Sequence, residues 1–60
     1  MNKEIEIIKF LKMNGKASTS KIGNVLGINY WTLLDILEKL VKDNKIKRVE
    51  ESRGTYWELK

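Results

Sequence analysis

The sequence predicts an α+β, mainly helical fold: three helices followed by a small β-hairpin, in a single domain over 1–60. Three observations predict it. Apolar residues recur at helical spacing within 2–14 and 30–43. Gly15 and Gly27 follow the first two helical patterns, where a helix ends most cheaply on a left-handed residue. From Lys45 onward the period shortens toward two, and Ser52-Arg53-Gly54 separates two short strand patterns.

Each element has its own local reason. The first helix, 2–14, gathers Ile7, Ile8, Phe10 and Leu11 on one broad face with Ile5 at its edge, leaving Asn2, Glu6, Lys9 and Lys12 opposite. Lys16-Ala17-Ser18 has the length of a very short strand. Ser18 or Thr19 can cap the second helix, 19–26, by accepting an orphan backbone N–H. Asn29 does the same for the third, 30–43, whose core stripe is Leu33, Ile36, Leu37, Leu40 and Val41, with Leu34 outside it. The strands are 46–51 and 55–59, and Gly54 supplies the positive φ of the turn. Trp57 reads as core because it shares a strand face with Thr55 and Leu59. Ile46 and Val49 differ in parity, which predicts a bulge or strong twist near Arg48.

Composition removes whole classes of function. The chain has no Cys and no His, so neither a disulfide nor a Cys/His metal site can form. No apolar run nears the ~20 residues of a membrane span and no signal-peptide core is present, so no membrane contact and a cytoplasmic location are expected. Nothing calls for a cofactor, since a glycine-rich phosphate loop is also missing. Acid–base catalysis would need carboxylates, Lys or Tyr around a pocket of roughly 300 Å3 or more, for which so short a chain has no room. Ser18-Thr19-Ser20 lacks a His to activate it and reads as capping. An enzyme is therefore not expected. The net charge of +4 favours polyanionic partners.

The stretch from Thr19 to Glu38 has the spacing of a helix-turn-helix. Gly23 is small where two steeply crossed helices approach, and Gly27 tolerates the left-handed turn between them. Ile22, Leu26, Ile28, Leu33 and Ile36 supply the apolar positions that pin the pair onto the first helix. With these residues in place, the whole chain resembles the winged helix-turn-helix family, Leu40 to Arg48 matching the exit of a recognition helix into the wing. The resemblance implies double-stranded DNA binding, the third helix in the major groove and the wing on backbone or minor groove. It also implies a scaffold reused for protein contacts. Ile7-Ile8-Lys9-Phe10-Leu11, Gly15-Lys16-Ala17 and Trp57 are similar to Z-alpha domains, which bind left-handed nucleic acid. That family grips the zigzag backbone with an Asn and a Tyr on the recognition helix. Leu34 and Glu38 occupy those positions here, so this likeness implies shared architecture.

The outward face of the third helix carries Asn29, Tyr30, Trp31, Thr32, Leu34, Asp35 and Glu38. Asn29, Tyr30 and Thr32 can hydrogen-bond base edges or phosphate, and Thr32 or Leu34 can meet a thymine methyl. Asp35 must accept from a cytosine amino group or be repelled. Residues 29–44 set Lys39 and Lys42 against Asp35, Glu38 and Asp43, a net of about −1. The positive charge lies on Lys16 and Lys21 and, in the wing, on Lys45, Lys47, Arg48 and Arg53; Ser20 and Lys39 complete the candidate contact set. Four or five cations on phosphate would give a salt slope of roughly −3.5 to −4.5, at about −0.9 each. Tyr56 reads equally as a sheet-edge residue or a contact.

Two functions follow. The first is a small transcriptional regulator binding double-stranded DNA, with a homodimer through the first helix. The second is a protein-interaction module whose partner docks on Tyr30, Trp31 and Leu34, with Asp35 and Glu38 as an acidic rim.

Overall fold

The computed structural model describes residues 2–60. Elements run in the order α1 (Lys3–Asn14), β1 (Ala17–Ser18), α2 (Thr19–Leu26), α3 (Tyr30–Lys42), β2 (Ile46–Glu51) and β3 (Gly54–Leu59). The strands form one antiparallel sheet in the order β1-β3-β2. This is the winged helix fold, three helices against a three-stranded sheet.

Side-chain caps set the helix starts. Asn2 stands before α1 instead of within it, its side chain accepting from the Glu4 N–H at 2.8 Å. Ser18 Oγ accepts from the Lys21 N–H at 3.1 Å, and Asn29 Oδ1 from the Trp31 N–H at 3.0 Å. Gly27 closes α2 at φ 67°, ψ 38°. The α3 terminus departs from expectation by ending at Lys42, with Asp43 as cap and Asn44 left-handed at φ 63°. Asn44 N–H donates to Val41 O and Lys45 N–H to Leu40 O, both at 3.0 Å, the paired bonds of a Schellman stop.

Gly23 sits where α2 and α3 converge. A Cβ there would lie 3.2 Å from Ile28 O and 3.4 Å from Leu33 Cδ2, so the crossing leaves almost no room for a side chain. The core joins Ile7 and Leu11, Ala17, Ile22 and Ile28, Leu33, Leu37 and Leu40, Ile46 and Trp57. The expected α3 stripe is narrower than its pattern: Ile36 and Val41 are only half-buried, at the margin. Leu34, expected outside the stripe, is half-buried against the core.

The sheet has no bulge. Pairing from Ile46↔Leu59 through Arg48↔Trp57 to Glu51↔Gly54 is unbroken. Val49 keeps its register by facing outward opposite Tyr56, a cross-strand pair that gives an apolar residue cover outside the core. Arg48 then shares the inner face with Trp57, tolerable because β2 is an edge strand whose guanidinium reaches solvent. The hairpin loop is Ser52-Arg53, neither residue having positive φ; the unusual backbone is taken by Gly54 at φ 144°, already in β3. Among the described residues no helix is long and apolar enough to cross a membrane.

Candidate nucleic-acid interface

The N-terminal turn of α2 is tied to the wing by one buried bond. Trp57 Nε1 donates to Thr19 Oγ1 at 2.8 Å, so the apolar anchor of β3 also satisfies the one buried polar residue of the core. Around that bond Ser18, Ser20, Tyr30, Arg53, Thr55 and Tyr56 line a shallow recess. It unites three remote segments: the start of α2, the start of α3 and the wing tip. The adjoining groove is lined by Lys16 and Lys21 with Phe10 and Tyr56. Of the sequence-predicted contacts, Ser20, Tyr30 and Arg53 therefore meet in one place, with Lys16 and Lys21 beside them.

Four of the predicted cations are engaged within the chain. Lys16 pairs with Glu51 and lies 5.3 Å from the Tyr56 ring centre. Lys47 pairs with Glu58 at 3.4 Å and Lys39 with Glu4 at 3.2 Å. Arg48 holds Glu50 at 2.6 Å and Glu38 at 3.8 Å, its guanidinium 5.9 Å from the Trp57 ring. Among the described residues, Lys21, Lys45 and Arg53 are the predicted cations with no carboxylate in reach; of these, Lys21 and Arg53 line the groove and the recess. The Lys16 ammonium is held above the ordinary lysine value, chiefly by its hydrogen bond to Glu51. Exposed pairs of this kind contribute little to stability, so a phosphate can displace the carboxylate.

The exposed start of α3 differs in character. Trp31 is 72% and Tyr30 50% exposed, their rings edge to face at 5.1 Å and 83°. Thr32 and Asp35 are exposed beside them. Asn29 spends its carbonyl oxygen on the cap, which leaves its amide N–H groups for a partner. Leu34 turns partly into the core, so the apolar surface here belongs to the two aromatic rings.

Sequence reasoning placed the cations without their partners Glu4, Glu50, Glu51 and Glu58. Thr19 and Thr55 were missed as walls of the recess, and Tyr56, open between sheet edge and contact, lines it. The hairpin register was the available signal, since a two-residue loop sets Lys47 opposite Glu58.

A three-helix unit with a short sheet and a β-hairpin beside a helix-turn-helix defines the winged helix class. The chain belongs to the FaeA-like protein family, which matches residues 2–60. Among solved structures it is similar to the Zalpha domain of PKZ from Carassius auratus, solved in complex with Z-DNA, at 30% identity and TM-score 0.88, over 95% of this chain and 90% of that one. It is also similar to the reduced form of MarR from E. coli, at 16% identity and TM-score 0.92, over 100% of this chain and 46% of that one. The adhesin competence repressor of Streptococcus pyogenes matches at 21% identity and TM-score 0.89, again over 100% and 46%. The chain thus spans less than half the length of these two proteins, and the likeness to them is one of fold. No curated protein matches the chain.

Proposed function

We propose that this domain binds double-stranded DNA, with the first turn of α3 in the major groove and the wing tip on the backbone, as a small transcriptional regulator of the cytoplasm. The observation that carries the reading is the recess. The α2 N-terminus, which favours an anion, lines it through Thr19 and Ser20 together with Tyr30 and the Arg53 wing tip. Those are backbone-positioning contacts, and the exposed start of α3 sits next to them for base edges. The scaffold shared with MarR and the Zalpha domain supports the same reading. Z-form binding is not part of it, since Leu34 packs into the core and Glu38 faces Arg48 where Z-alpha domains need Asn and Tyr.

Charge sets the expected strength. If Lys21 and Arg53 alone neutralise phosphate, the slope of log K against log salt is about −1.8. It grows toward the value read from the sequence as Lys16 and Lys47 exchange their carboxylates for phosphate. The test is a titration of labelled random duplex DNA at low and physiological salt, with Arg53→Ala alongside. Binding weakened by salt and by the substitution supports the reading.

The exposed aromatic pair favours a second reading, a protein partner docked on α3. The anchor is then Tyr30 and Trp31, with Leu34 contributing only its exposed edge and Asp35 and Glu38 forming the acidic rim. Such binding would tolerate salt, fail in Trp31→Ala and ignore Arg53→Ala. A homodimer through α1 would rest on Ile5 and Met13, because Ile7 and Leu11 are buried and Ile8 and Phe10 pack on the core. Stable interfaces bury about 800 Å2 on each partner, more than two side chains supply, so the binding unit we propose is the single domain.

A further inference from the structure

Resting on the duplex-DNA reading, we propose that Trp31 determines base preference by lying against thymine C5-methyl groups, so that the domain selects A·T-containing duplex. Recognition helices meet base edges with their N-terminal residues, and Trp31 is the second residue of α3. It is the most exposed large apolar side chain of α3, and Tyr30 stands edge-on to its ring. Of the two methyl contacts expected from the sequence, Leu34 is partly withdrawn into the core and Thr32 is exposed but offers one methyl where Trp31 offers a whole indole face. A thymine methyl is the one apolar group on the major-groove edge of the bases, and an exposed indole is its chemical match.

The charges around Trp31 act in the same direction. Guanine presents two acceptors, N7 and O6, that are read by Arg or Lys. The exposed start of α3 has neither; one turn beyond Trp31 stands the exposed carboxylate of Asp35, which is repelled by those acceptors, while Glu38, a further turn on, is held by Arg48. Lys39, farther along, is turned to Glu4. The face therefore disfavours guanine and rewards the methyl group. Arg53 at the recess and Lys21 in the adjoining groove supply the attraction to phosphate that brings the face to the DNA.

The test compares a duplex of alternating adenine and thymine with its counterpart in which deoxyuridine replaces thymine, identical in charge and lacking only the methyl groups. The wild-type domain is expected to bind the deoxyuridine duplex more weakly, by roughly fourfold for each methyl contacted. Trp31→Ala is expected to bind both duplexes equally, with its circular dichroism and salt slope unchanged. Arg53→Ala is expected to weaken both duplexes alike and keep the difference between them. Equal affinity of the wild type for the two duplexes, with salt dependence intact, overturns the thymine assignment and leaves duplex binding standing. Discrimination that survives in Trp31→Ala overturns the role of Trp31. Absence of salt-dependent binding to either duplex removes both readings.

Discussion

The start of α3 and the recess beneath the wing tip lie side by side and share Tyr30, yet they are built from opposite chemistry. The helix offers two exposed aromatic rings and, one turn on, uncompensated acid. The recess offers hydroxyls, a helix N-terminus and a guanidinium. Attraction to a polyanion and discrimination among bases are thus carried by different elements, and each can be removed without the other. A recognition helix with its own arginines would combine the two. Here the helix contributes no attraction, so affinity is expected to be modest and selectivity to come from shape and methyl contact.

The largest expected effect comes from breaking the joint that holds both regions. Trp57→Ala removes the anchor of β3 and leaves Thr19 without its donor. Large aromatic-to-alanine changes in a core cost about 3–5 kcal/mol, against a total of about 3–9 kcal/mol for a domain of this size. Thermal melting should show the variant largely unfolded. Gly23→Val comes next, since its Cβ meets the Ile28 carbonyl oxygen; overpacking of that kind costs ~1–3 kcal/mol, to be read as a lower midpoint in urea.

Arg53→Ala sharpens the comparison from the recess side. It should leave the melting temperature unchanged and flatten the salt slope of DNA binding by about 0.9. From the helix side, Asp35→Asn should strengthen duplex binding, most of all for guanine-containing duplex, because it lifts a repulsion with no partner inside the chain. A fluorescence titration measures both.

The smallest effect concerns Lys16. Its pKa is raised in the folded state by Glu51, so the associated stability is fully present below the ordinary lysine value. It fades as pH climbs through the folded pKa. Glu51→Gln should return the Lys16 titration, followed by NMR, to the ordinary lysine range with almost no change in stability near neutrality.

Much of this fold is legible in the sequence because its boundaries are local chemistry. Ser18 and Asn29 cap helices with their own side chains, and Gly27 marks a turn that neighbours need not specify. The Gly23 crossing was readable for the same reason, since a Cβ there would press on the Ile28 carbonyl oxygen at 3.2 Å. What the sequence hid depends on contacts across the fold. The pairing of Lys16 with Glu51 and of Lys47 with Glu58 follows from strand register, which in turn follows from a two-residue loop. Val49 suggested a bulge only because its outer-face partner Tyr56 could not be assigned before that register was known. Leu34 stands seven residues before Val41 and shares its flank of α3, so both sit half-buried at the margin of the core, a placement the period allowed once Val41 was counted in the stripe. The recess was invisible as a unit, although three of its residues had been singled out one at a time.

The most direct measurement is the salt dependence of duplex DNA binding by wild-type, Arg53→Ala and Trp31→Ala domains under one set of conditions. The account expects wild-type affinity to fall as salt rises, Arg53→Ala to flatten that fall, and Trp31→Ala to weaken binding while keeping the slope. Affinity that ignores both salt and Arg53, or a Trp31→Ala slope flattened as much as that of Arg53→Ala, would contradict the division of labour between wing tip and helix.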